Sequence, residues 1–228
     1  MSPSNFTVFL DRDGVINMDS PDYIKCAEEF HFIESSAEAI ALLNRRGFDV
    51  IVITNQSGVG RGLFTRKEMH DIFDKMQKGV VRAGGTIKDI FFCPHTPKEI
   101  CSCRKPLSGL ILQAMEKYGI DPARSCMVGD SVRDIECGYN AGCGYTVLVR
   151  TGNGEEVERI IKEIKIENKK IQAYTDTDSA TCISTGCKDP SFSETATTTR
   201  KTLLEPDFIA NDLMEAAIWI SSKISPHY

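Results

Sequence analysis

Five short apolar runs, at 6–10, 50–53, 90–92, 126–128 and 145–149, recur along the chain with amphipathic stretches between them, and this alternation leaves few folds open. Rich in β-branched or aromatic residues and too short for helices, the runs read as buried strands. The stretch 35–46 places Ala37, Ile40, Ala41, Leu42 and Leu43 on a helical face and stops at Gly47, which suits a left-handed C-terminal position. Residues 65–83 repeat the pattern through Met69, Ile72, Phe73, Met76 and Val80, and 106–118 and 132–141 follow. Alternation of this kind predicts an α/β fold, a parallel sheet with helices on both faces and right-handed crossovers. A Ser-, Thr-, Asp- and Lys-rich segment at 167–201 breaks the pattern and reads as a mobile surface insertion in a single domain, 1–228. Beyond it, 206–210 reads as an edge strand and 212–224 as a closing helix.

Ligands of such sheets bind beyond the carboxyl ends of the strands. Four polar clusters, 11–14, 54–62, 93–105 and 130–134, each follow a predicted strand, so all four should meet at one rim. In the first, one of Asp11 and Asp13 can attack phosphorus while the other handles protons, and Gly14 permits a sharp turn. An Asx turn capping the strand is the alternative. Thr54, Asn55, Gln56 and Ser57 offer a hydroxyl and backbone N–H groups to phosphoryl oxygens, or form an ordinary polar junction. The GVGRG that follows lacks the Gly-Lys-Ser/Thr ending of a nucleotide loop. Lys105 can place a cation where negative charge gathers, although a lone Lys is more often solvated surface. Asp130 and Asp134 can both reach the rim, and Mg²⁺ needs only one or two carboxylates beside substrate phosphate; helix capping is compatible with that role. Cys93, His95, Cys101 and Cys103 supply four ligands across a short loop, enough for a closed, structural zinc site.

The formal net charge of -5 gives no basic footprint for nucleic acid, and no apolar run approaches the length that spans a bilayer. Nine cysteines, an odd number with three beside His95, suit a metal site in a reducing compartment better than a disulfide framework. A cytoplasmic, monomeric protein is expected.

FLDRDGVIN, VITNQSGVGRG, CPHTPKEICSCRKP and MVGDSVRDIECG, in that order, resemble the haloacid dehalogenase superfamily of phosphatases. Within it, the likeness is to the heptose 1,7-bisphosphate 7-phosphatase branch, with the histidinol-phosphate phosphatases as the alternative. The resemblance implies a three-layer, Rossmann-like doubly wound sheet without a large cap domain, a zinc-pinned loop, and a phosphorylated sugar as substrate. It implies that Asp11 forms an aspartyl-phosphate and that Asp13 first protonates the leaving alkoxide and then deprotonates water. Asp11, the Asp13 backbone carbonyl and Asp130 would hold Mg²⁺, and Thr54 and Lys105 would stabilise the phosphoryl group. Arg104 and the Asn55, Gln56 and Ser57 loop would recognise substrate, with Asp19 accepting from a sugar hydroxyl. Cys93, His95, Cys101 and Cys103 match the zinc ligands. Ser131 stands where heptose enzymes carry a Lys, and the 167–201 segment has no counterpart. A catalytically silent phosphate-binding module would require loss of Asp11, Asp13, Lys105 or Asp130, and all four are present.

Overall fold

The computed structural model of the chain describes residues 6–181 and 205–224, with side chains for 6–169 and 205–224. Six parallel strands form one sheet: β1 (Thr7–Leu10), β2 (Asp49–Asn55), β3 (Asp89–Cys93), β4 (Ser125–Gly129), β5 (Tyr145–Val149) and β6 (Phe208–Ala210). Their spatial order is β3-β2-β1-β4-β5-β6, so the chain winds one way from β1 to β3 and then crosses back to β4. The reversal puts a crevice beyond the carboxyl ends of β1 and β4, the place where open α/β sheets bind ligands. In register, Leu10 pairs with Val52 on one side and Val128 on the other. Asp11, Thr54 and Asp130 are thereby carried to the same rim.

Seven helices cover the two faces among the described residues: α1 (Ser36–Arg45), α2 (Ser57–Gly60), α3 (Arg66–Arg82), α4 (Gly109–Tyr118), α5 (Val132–Ala141), α6 (Gly154–Thr181) and α7 (Leu213–Lys223). Alternate strand residues point to opposite faces, so each strand feeds two cores. Val8, Leu10, Val50 and Val52 pack with Ile40 and Leu43 of α1, Met76 of α3 and Ile220 of α7. Phe9, Ile51, Ile53 and Met127 face the other way, against Ile111 and Met115 of α4 and Cys137 of α5. A smaller cluster joins Leu148 to Ile135 and to Val157 and Ile161 of α6. Truncating a buried aliphatic in either main core to Ala would cost about 2–5 kcal/mol.

The predicted strands and helices are all present, with ends shifted by a few residues. Helix α3 begins where the sequence supplies a capping box: Thr65 Oγ1 accepts from the Glu68 N–H at 3.2 Å while Glu68 accepts from the Thr65 N–H at 2.7 Å. The expected insertion divides. Residues 167–181 continue α6, because Glu, Lys, Gln and Ala there favour a helix once a turn packed on the sheet has nucleated it. The rest of that segment lies outside the described residues. Trp219 is half-buried and stacks on Phe208 with ring centroids 4.9 Å apart.

Candidate active site

Asp11 follows β1 directly. Its Oδ1 accepts from the Arg12 N–H at 2.7 Å and lies 2.8 Å from Lys105 Nζ. Lys105 arrives from the loop after β3 and is almost completely buried. Its ammonium is fully engaged, pairing with Asp11, with Asp134 Oδ1 at 2.6 Å, and donating to the Ile53 carbonyl at 3.0 Å. Burial alone would lower the Lys105 pKa, but Asp11 and Asp134 raise it above its ordinary value, so the side chain stays a cation. The backbone on either side of this lysine is clamped as well. Asn55 Oδ1 accepts from the Lys105 N–H at 3.1 Å, and Asn55 Nδ2 donates to the Lys105 carbonyl at 3.3 Å.

Asp13 points away from Asp11. Arg12, itself buried, forms a fork with it, Nη2 reaching Oδ1 at 2.6 Å and Oδ2 at 2.8 Å, with Nε on Oδ1 at 3.0 Å. Asn17 Nδ2 adds a bond to Oδ1 and Gln56 Nε2 one to Oδ2, each at 2.9 Å. Burial would push the Asp13 carboxyl up, but the Arg12 charge and these hydrogen bonds bring it below its ordinary value. Gln56 Nε2 also donates to Thr54 Oγ1 at 2.9 Å, tying the acid–base candidate to the phosphoryl-binding candidate. The side chains of Asn55 and Gln56 are thus engaged within the protein.

Asp130 follows β4. Its Oδ2 accepts from the Asn153 N–H at 2.8 Å and from Asn153 Nδ2 at 3.0 Å. Two glycines make room for it: Gly14 at φ 78° and Gly152 at φ 60°, where a Cβ on either would overlap that same oxygen. The backbone there takes the left-handed conformation that glycine adopts at no steric cost. Ligand oxygens of Asp11, Asp130 and Asp134 lie within 4.8 Å of one another. Burial, then repulsion from Asp134 and Asp130, raises Asp11; burial and Asp134 raise Asp130 to about 6. Such a crowded set of hard oxygens fits a divalent cation, which would relieve that repulsion. Asp134 is the member already spent: Oδ2 accepts from the Ser131 hydroxyl at 2.6 Å and the Ser131 N–H at 3.1 Å, and Oδ1 holds Lys105. Asp11 and Asp130 are the two of the three that could hold such an ion.

These groups open on a cavity of about 290 Å³, also lined by Asp19, Ser20, Asn55, Ser57, Arg104 and Arg133. All the site residues expected around the phosphate therefore gather at one rim. Three participants were missed by sequence reasoning: Arg12, Asn153 and Arg133. Arg12 had a signal, since a strand-end cation between two aspartates would neutralise one of them. The other two needed the fold.

Beside this cavity, Cys93 Sγ lies 3.4 Å from His95 Nδ1 and 3.1 Å from Cys103 Sγ, with His95 Nδ1 3.2 Å from Cys103 Sγ and Cys101 Sγ 3.9 Å from Cys93 Sγ. The four donor atoms all lie within 4.8 Å of one another, close enough to share one ion. Burial, then the Cys93 contact, pushes the Cys103 thiol up to about 12, so a zinc ion bound there would displace a proton from the sulfur. The four residues can hold a zinc ion.

A family model described as HAD-hyrolase-like matches residues 102–169. That match, over less than a third of the chain, agrees with the doubly wound sheet and its strand-end aspartates in pointing to hydrolases of the haloacid dehalogenase type. Relatives narrow it. Proteins named D-glycero-beta-D-manno-heptose-1,7-bisphosphate 7-phosphatase are 44% identical over 151 residues in Pseudomonas aeruginosa, covering 66% of this chain and 84% of that one. The counterpart in Bordetella bronchiseptica is 42% identical over 149 residues, 65% of this chain and 83% of that one. A crystal structure of D,D-heptose 1,7-bisphosphate phosphatase from B. bronchiseptica, complexed with magnesium and phosphate, superposes with a TM-score of 0.73 at 32% identity, covering 96% of this chain and 99% of that one. The chain belongs to the heptose 1,7-bisphosphate 7-phosphatase family.

Proposed function

We propose that this chain removes the 7-phosphate from D-glycero-D-manno-heptose 1,7-bisphosphate by Mg²⁺-dependent hydrolysis through an aspartyl-phosphate on Asp11. The observation that carries the reading is the Asp11 carboxylate, held on one oxygen by Lys105 at 2.8 Å and grouped with Asp130 at the mouth of the cavity. Magnesium, when bound, supplies positive charge to the phosphoryl oxygens and keeps Asp11 ionised. Its protein ligands would be Asp11, Asp130 and the Asp13 carbonyl. Asp11 attacks phosphorus as Thr54 and Lys105 stabilise the equatorial oxygens. Asp13 leaves the Arg12, Asn17 and Gln56 donors, takes up a proton from solvent and gives it to the sugar oxygen as the bond from phosphorus to that oxygen breaks; it then takes a proton from the water that attacks the Asp11-bound phosphoryl group, which frees inorganic phosphate and restores Asp11. Asp19 and Arg104 bind the sugar end, and the Asn55 to Ser57 turn supports the phosphoryl site. Zinc on Cys93, His95, Cys101 and Cys103 fixes the loop that delivers Lys105.

The working protein is a cytoplasmic monomer. The free thiols among the described residues suit a reducing compartment, and no described helix is long and apolar enough to cross a membrane. Asp11→Asn should reduce turnover at least ~10⁴-fold with the fold intact; an unchanged rate would sink the mechanism. For the substrate, phosphate release from heptose 1,7-bisphosphate should exceed that from histidinol phosphate by more than about tenfold in kcat/KM. The opposite order would transfer the assignment to histidinol phosphate.

A further inference from the structure

The two carboxylates that could share an ion are held in different ways. Asp11 has a cation on one oxygen, with Lys105 at 2.8 Å from Oδ1. Asp130, among the described residues, pairs with no lysine or arginine. Both of its hydrogen bonds fall on Oδ2, from the Asn153 N–H at 2.8 Å and from Asn153 Nδ2 at 3.0 Å. The same oxygen is packed against Gly14 and Gly152. Oδ1 accepts no hydrogen bond among the described residues, and Asp130 lines the cavity. Asn153 therefore occupies one oxygen twice and leaves the other for a ligand.

The turn that carries Asn153 is fixed on two sides. Thr151 Oγ1 donates to the Gly14 carbonyl at 2.6 Å, tying the end of β5 to the loop that follows Asp11 and Asp13. On the other side the Asn153 carbonyl accepts from the Val157 N–H at 3.1 Å as α6 begins, and Val157 joins Leu148 in a core cluster. The amide is thus presented to Asp130 from an anchored backbone. We propose that Asn153 is a positioning residue of the metal site: it holds Asp130 Oδ2 so that Oδ1 faces the ion shared with Asp11. This role rests on the Mg²⁺-dependent reading of the site and adds to it a residue outside the ligand set. A neutral amide suits the task, because it orients the carboxylate and leaves its charge to the cation. Hydrogen-bond partners of a ligating carboxylate are worth about 10–100-fold in metal affinity or activity. The Asn153 side chain also reaches Asp19 in the cavity wall, and a role on the substrate side is the competing explanation.

Mn²⁺ takes the same octahedron of oxygen ligands as Mg²⁺, and its free ion is read by electron paramagnetic resonance. Titrating Mn²⁺ into the full chain, dialysed free of Mg²⁺, therefore tests the metal site without substrate. Asn153→Ala should raise the Mn²⁺ Kd about tenfold. Asn153→Ser, which keeps a residue suited to starting a helix, should raise it as much, because its hydroxyl is too short to hold Asp130. In phosphate release, the Mg²⁺ concentration giving half the maximal rate should rise by about the same factor, and added Mg²⁺ should recover the turnover lost when it is limiting. An unchanged Mn²⁺ Kd in both variants would overturn the role while the phosphatase reading stood. A KM for the sugar phosphate that rises at saturating Mg²⁺, with the Mn²⁺ Kd unchanged, would overturn it in favour of the contact with Asp19. A Kd raised in Asn153→Ala but normal in Asn153→Ser would assign the effect to the start of α6 and overturn it too. Wild-type protein that binds no divalent ion would remove the metal reading and this role with it.

Discussion

Lys105 is a surface-type residue placed where almost no water reaches it, and its neighbours account for that. A buried ammonium is tolerated only when paired and hydrogen-bonded, and here Asp11, Asp134 and a strand carbonyl complete its three donors. Asp134 therefore holds the lysine in place. Removing one charge of a buried pair costs about 3–5 kcal/mol, and Asp11 remains as a second partner, so Asp134→Asn should destabilise the protein by about 3 kcal/mol in urea denaturation. Turnover should fall at least ~10-fold with it, since the lysine that faces the phosphoryl group loses its anchor. Stability and rate both at wild-type level would refute this role. At this scale the sequence was a partial guide. Asp11, Asp13, Lys105 and Asp130 were legible because each follows a strand in a cluster of polar residues. The divisions of labour were not, because whether a carboxylate caps a helix, holds a lysine or faces an ion depends on neighbours from other strands. Asp134 both closes the capping box of α5 and holds Lys105, a second task that only the neighbouring loop reveals.

Strands and amphipathic helices could be read from periodicity because each must bury one face, and β5 and α5 have the bounds expected of them. Helix α6 was harder. Among the residues whose side chains are described, Val157 and Ile161 of its first turns join the core, and the sequence that follows is dominated by charged residues. What fixes the start of α6 is an ion-pair network: Arg150 after β5 reaches Glu158 at 2.7 Å, and Lys162 reaches the same carboxylate at 2.8 Å. Arg150 also donates to Asn211 at 2.7 Å, tying in the end of β6. The Arg150 hydrogen bond, followed by that of Lys162, lowers the Glu158 pKa from 4.5 to about 2. With the folded value below the unfolded one, the contribution is present above about pH 4.5 and is lost as pH falls toward about 2. Lys162 lies mostly in solvent, so the expected stability loss in Glu158→Gln at pH 7 is only ~1 kcal/mol. Chemical denaturation at pH 7 and pH 3 should show that difference shrinking with acid; a gap that stays constant or widens would assign the effect to packing.

For the molecule as a whole, the two halves of the catalytic rim have unequal support. Asp11, Thr54 and Asp130 project from central strands packed on both faces, whereas Lys105 and Arg104 hang on a loop with few apolar side chains to bury. On β3, an edge strand, half-buried Phe91 packs in the same cluster as the loop's thiols while Ile90 and Phe92 face the other core, and the loop's own contribution to the core is Cys93 and its neighbouring thiols. A metal at Cys93, His95, Cys101 and Cys103 would do for the loop what the double core does for the strands. Metal loss should then act locally, because neither main core depends on these ligands beyond the sulfur atoms themselves. Incubation with a zinc-selective chelator, in excess Mg²⁺, should leave the far-ultraviolet circular dichroism within a few per cent and make three further thiols reactive. Phosphatase activity should fall at least ~10-fold and return when zinc is restored. Cooperative loss of all secondary structure would instead mean that the loop is part of the global folding unit, and full activity after complete zinc removal would show that Lys105 is held by Asp11, Asp134 and Asn55 alone.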